Sequence, residues 1–135
     1  MKILFLCVAN SARSQIAEGL AKKILGTGHD IRSAGSNPSG VVHPLAIEVM
    51  HGAGIDISKH QSKSWNDLPA DFLDSLDVVI TLCAEEICPN LSSGAKKLHW
   101  GLPDPAASSA DPKSALKSFE QTRIEIENRL KNFAI

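Results

Sequence analysis

The chain has 135 residues, 43% hydrophobic and 21% charged, a balance that fits one folded domain over residues 1–135 and argues against a disordered chain. Its formal net charge of −1 argues against nucleic acid or an anionic membrane as partner, since both reward a basic surface; any anion must be held by a local site. No apolar run reaches the ~20 residues that cross a bilayer. Three cysteines, an odd count, fit working thiols in a reducing cytoplasm better than structural bridges.

The first predicted element is Lys2 to Cys7, a short apolar run suited to a strand buried on both faces. It is too short for a secretion signal, which needs ~15–30 residues. Ser14 opens a helix with Ile16, Leu20 and Ile24 at helical spacing and Gly26 near its end. Ile31 to Ala34 reads as a second strand closed by Gly35. A helix follows from Pro44 to Met50, with proline in its first turn and Gly52 or Gly54 near its end. A short helix is expected over Ala70 to Leu76, then the clearest strand, Asp77 to Leu82, and a weaker one, Lys97 to Trp100. A long helix from Pro112 to Phe133 carries an apolar stripe of Leu116, Phe119, Ile126, Leu130 and Phe133, read as core. Strands alternating with helices imply right-handed crossovers and a parallel sheet covered on both faces. Ligands of such sheets bind at the carboxyl ends of the strands, where Cys7 and Cys83 fall.

Cys7, Val8, Ala9, Asn10, Ser11, Ala12, Arg13 and Ser14 join the first strand to the first helix. Small residues let successive N–H groups turn inward, the helix start adds its positive end, and Arg13 offers a bidentate fork to a tetrahedral oxyanion. Such surroundings favour a nucleophilic thiolate at Cys7. Ser14 is placed to donate to that sulfur and Asn10 to brace the loop. The bland reading is a buried cysteine, a capping serine and a surface arginine.

This loop resembles that of the low-molecular-weight tyrosine phosphatases and the arsenate reductases that share their fold. The resemblance extends to Ser33-Ala-Gly35, Gly54-Ile-Asp-Ile57, Thr81-Leu-Cys83, Cys88-Pro89, His99-Trp-Gly and Asp104-Pro-Ala106, nearly the whole chain. It implies an α/β three-layer sandwich in which a four-stranded parallel sheet is flanked by helices.

Arsenate and phosphate have the same shape, so the cradle alone does not separate the two activities; the further thiols do. In the reductases that the chain resembles, the first cysteine attacks arsenate, the second forms a disulfide with it, and the third takes over to leave an exposed disulfide. Those roles fall on Cys7, Cys83 and Cys88. The resemblance favours thioredoxin as the reductant, but four residues separate Cys83 from Cys88 where many thioredoxin-linked relatives have six, which leaves glutaredoxin as the alternative. A zinc site on these thiols would need further ligands, and the five histidines lack paired close spacings; neither metal nor cofactor is expected.

In the family the aspartate of the Asp-Pro pair, here Asp104, protonates the leaving oxygen. Phosphotyrosine phosphatases carry aromatic residues after that pair; here Ala106-Ala107 follows and the chain has no tyrosine. Trp65 and Trp100 are read as packing. Some relatives bind potassium beside the cradle, and the resemblance maps two of its ligand positions to Gln61 and Lys63. A Lys63 ammonium in the cation's place removes specific potassium stimulation. The leading expectation is a cytoplasmic, monomeric arsenate reductase, with phosphate or sulfate as competing anions. A phosphatase using Cys7, Arg13 and Asp104 is second, and a non-catalytic oxyanion-binding or redox-sensing module third.

Overall fold

Two apolar stripes on opposite faces of one sheet organise the chain in the computed structural model, which describes residues 1–26, 28–83, 94–106 and 111–133. The strands are β1 (Lys2–Cys7), β2 (Asp30–Gly35), β3 (Val78–Cys83) and β4 (Lys96–Leu102). All their pairings are parallel, in the spatial order β2-β1-β3-β4. The α/β sandwich with a four-stranded parallel sheet is therefore the architecture found.

Side chains alternate across β1. Ile3 and Phe5 join one core with Ile16 and Leu20 of α1 (Arg13–Leu25), Val49 and Met50 of α2 (Pro44–Gly52), and Phe119 and Ile126 of α4 (Pro112–Lys131). Leu4 and Leu6 join the other, built on Phe72 of α3 (Ala70–Asp74) with Leu68, Leu76 and Val79. Burial of four large residues in six, at ~1.5–3 kcal/mol each, makes β1 the axis of the molecule. Trp100 packs on Phe5 and edge-on against Phe133, with centroids 6.2 and 5.9 Å apart, as core rather than site.

Element ends differ from the sequence reading where backbone groups find local partners. α3 stops at Asp74 instead of Leu76, since the Ser75 hydroxyl turns back to donate to the Asp71 carbonyl at 2.5 Å. α4 stops at Lys131 instead of Phe133, because Asn132 donates from its backbone and its side chain to the Asn128 carbonyl. α2 runs two residues past Met50, and Gly54 beyond it takes a positive φ of 81° that suits glycine. A 3-10 turn at Trp65–Asp67, closed by a reciprocal Ser64–Asp67 capping box, was not foreseen.

The strand order reverses beside β1: the chain leaves it toward β2 and returns on its other flank as β3. That switch point is where an open parallel sheet offers a crevice, and its two strand ends carry Cys7 and Cys83. Among the described residues no helix is long and apolar enough to cross a membrane.

Candidate active site

Immediately after β1 the chain enters a loop that closes over the Cys7 sulfur. Asn10 is fully buried with a left-handed φ of 47°, a conformation that asparagine tolerates better than most side chains. The turn points its backbone N–H at the Cys7 Sγ, 3.2 Å away. The side chain is pinned as well. Asn10 Oδ1 accepts from the Lys63 backbone N–H and from Gln15 Nε2, each at 2.9 Å, which fixes the amide orientation. Its Nδ2 then donates to Ser14 Oγ at 2.8 Å, and Ser14 Oγ lies 2.9 Å from the Cys7 sulfur. Ser14 accepts from Asn10 and keeps its proton, which it donates to the sulfur when Cys7 is a thiolate.

α1 begins at Arg13 with no side-chain cap on its first turn. Its N-terminal N–H groups and positive dipole end therefore remain available to an anion. A cavity of about 180 Å³ sits there, lined among others by Cys7, Val8, Ala9, Ser11, Ala12 and Arg13 from the loop. Asn10 and Ser14 do not line it; they stand behind the sulfur as braces. Arg13 is 4% exposed, and its Nη1 donates to the Leu102 carbonyl at 3.0 Å. That bond ties the loop after β4 to the cradle. Asp104, from that loop, lines the same cavity, and one of its oxygens accepts the Ala106 N–H at 3.0 Å.

Cys83 ends β3 with its side chain buried, like that of Cys7. Its register partner on β4 is Leu102, the residue whose carbonyl holds Arg13. The second cysteine thus belongs to the Arg13 side of the molecule. Strict alternation along β3 turns its side chain to the face opposite Cys7, and the register shift between Thr81 and Cys83 places its extra residue on β4, between His99 and Leu102. Cys88 lies outside the described residues, as does Ala107.

A polar cluster on the far side of Asn10 was only partly legible in sequence. Gln15, fully buried, donates to the Gln61 carbonyl at 2.9 Å and meets His60 Nδ1 through Oε1 at 3.1 Å. Glu18 accepts from Ser33 at 2.6 Å and from Lys22 at 2.8 Å, with His60 and Lys63 at 3.6 and 3.9 Å. Burial pushes the Glu18 carboxyl up, but the Lys22 and Ser33 hydrogen bonds and the Lys22 and Lys63 charges outweigh it and hold it below its ordinary range. Burial pulls Lys63 and His60 down, against the pull of Glu18. Lys63 Nζ also donates to the Gln61 carbonyl at 3.1 Å. These residues do not suit a potassium ion, because an ammonium already serves the carbonyl and the carboxylate. The sequence named Gln61 and Lys63; Gln15, Glu18 and His60 went unnoticed, although Glu18 falls one helical turn beyond Ser14. His43, which also lines the cavity, was missed too.

The family model for low molecular weight phosphotyrosine protein phosphatases matches residues 2–135. An arsenate reductase of Halalkalibacterium halodurans is 41% identical over 134 residues, covering 98% of this chain and 94% of the relative. Among solved structures, an arsenate reductase in the phosphate binding state superposes with a TM-score of 0.77 at 37% identity, over 98% of this chain and 95% of that one. A thioredoxin-dependent arsenate reductase of Corynebacterium glutamicum gives a TM-score of 0.65 at 30% identity, over 96% of this chain and 61% of that longer one.

Proposed function

The chain belongs to the low molecular weight phosphotyrosine protein phosphatase family, and on that premise we propose that residues 1–135 work as one cytoplasmic arsenate reductase domain serving arsenic detoxification. The observation that carries this reading is a single cavity holding Cys7, Arg13 and Asp104, with a second buried cysteine on the strand paired to the residue that anchors Arg13. The arsenate reductases among its full-length relatives support it.

Arsenate docks on the loop N–H groups and Arg13, the Cys7 thiolate attacks arsenic, and Asp104 gives its proton to the departing oxygen. Cys83 then attacks the Cys7 sulfur. The S–As bond breaks, its electron pair leaves with arsenic as arsenite, and a Cys7–Cys83 disulfide records the two electrons lost by the thiols. Cys88 attacks Cys83, freeing Cys7, and an external dithiol protein reduces the Cys83–Cys88 disulfide. Thioredoxin is the favoured donor, supported by the thioredoxin-dependent neighbour, with glutaredoxin second. Phosphate and sulfate compete at the cradle, and the enzyme works as a monomer.

Thioredoxin-coupled arsenate reduction measured beside aryl-phosphate hydrolysis tests the reading. Arsenate turnover with weak hydrolysis upholds it; fast hydrolysis with no arsenite formed replaces it with the phosphatase, which would use Cys7, Arg13 and Asp104 alone. Two further results are expected. Asp104→Asn keeps the Asx turn but removes the proton, so kcat should fall ~10²–10⁴-fold with arsenate protection of Cys7 unchanged. Because Lys63 serves the Glu18 cluster, potassium and sodium at equal ionic strength should give the same rate; potassium-specific activation would show that the ammonium yields its place.

A further inference from the structure

His43 immediately precedes α2 and faces two ways. Its Nδ1 accepts the Leu45 N–H at 3.1 Å as the helix cap, so the proton of the neutral ring sits on Nε2. One ring face lies against Phe119, 4.6 Å between centroids at 37°. Its backbone N–H donates to the Ser11 carbonyl at 2.9 Å, which locks the residue to the cradle loop. His43 also lines the cavity that Cys7, Arg13 and Asp104 line.

We propose that His43 is a substrate-binding residue of this site: its Nε2–H donates to a non-bridging oxygen of the tetrahedral oxyanion held over Cys7. The proposal rests on the reading of that cavity as an oxyanion site, and it adds a neutral donor to the Arg13 fork that lines the same cavity. Asparagine, aspartate, serine and threonine are the usual caps; any of them would satisfy the Leu45 N–H. Histidine caps the helix and also carries a second donor into the cavity. Phe119 holds the ring plane and the cap holds the tautomer, so the donor is preorganised and costs little ordering on binding. A bond of this kind persists through the reaction, so it acts on KM more than on kcat.

His43→Asn and His43→Phe separate the donor from the two structural duties. Asparagine keeps a capping side chain but falls short of the cavity; phenylalanine keeps a ring on Phe119 but has neither cap nor donor. The readouts are KM for arsenate, kcat, and the phosphate or arsenate concentration that half-protects Cys7 from iodoacetamide. Both variants should raise KM and the half-protecting concentration roughly tenfold, with kcat little changed. Wild-type values in either variant overturn the proposal and leave His43 a cap or a packing residue. If wild type reduces no arsenate but protection still shifts tenfold in both variants, His43 stands and the reductase reading falls.

Discussion

Exchanging either Cys83 or Cys88 for serine should stop thioredoxin-coupled arsenate turnover, by roughly a thousandfold or more, since an alcohol neither attacks the arsenylated sulfur nor forms a disulfide. The two variants should fail at different points. Without Cys83, arsenate can still esterify Cys7, but no thiol expels arsenite and none should accumulate. Without Cys88, one turnover can finish and trap the Cys7–Cys83 disulfide, giving about one arsenite per chain and a species two hydrogen atoms lighter by mass. Both should keep arsenate protection of Cys7 and any slow aryl-phosphate hydrolysis, because Arg13, Asp104 and the braces of Cys7 are untouched. A Cys83→Ser enzyme that still cycles would remove the relay from this protein. A Cys88→Ser enzyme that cycles would move the last thiol to the external donor.

How much of this was readable in the sequence depends on how local each feature is. β1, α1 and the cradle are set by neighbours in sequence: an apolar run, five small or polar residues, a basic residue and a helical pattern. Cys7, Arg13 and Ser14 are legible from the chain's own order, and Cys7 and Asp104 share a cavity. The braces depend on contacts across 45 residues or more, such as Gln15 with Gln61 and Asn10 with Lys63, which no spacing rule reports. The sequence assigned Asn10 a bracing role without saying that it does so from a left-handed backbone. His43 shows the same limit. The proline at Pro44 marks position 43 as a cap, but only the packing of α2 against α4 turns the ring to Phe119 and the cavity. Arg13 was expected to present its whole fork to substrate. Instead its Nη1 holds the Leu102 carbonyl, so the residue also clamps the acid-bearing loop.

Gly35→Ala should be the most damaging change outside the reacting groups. Gly35 ends β2 beside Cys7, its register partner on β1. A Cβ built there would stand 2.3 Å from the Val8 carbonyl oxygen and 3.0 Å from the Asn10 N, all of it backbone of the cradle. No flexible side chain can yield, so the loop itself must shift, and the Asn10 N–H that faces the Cys7 sulfur shifts with it. Misplacing a reacting constellation by about 1 Å costs on the order of a hundredfold in rate, and overpacking costs ~1–3 kcal/mol of stability. The variant should therefore lose at least about a hundredfold in arsenate kcat/KM and melt several degrees lower. It should also need more phosphate to protect Cys7, which a change confined to the later thiol steps would not produce. Gly52, with open space around its Cβ position, is the control: Gly52→Ala should keep both activity and melting point. If Gly35→Ala matches that control, the cradle is more compliant than its backbone contacts imply, and the tight seat of Val8 against β2 does not set the geometry of Cys7.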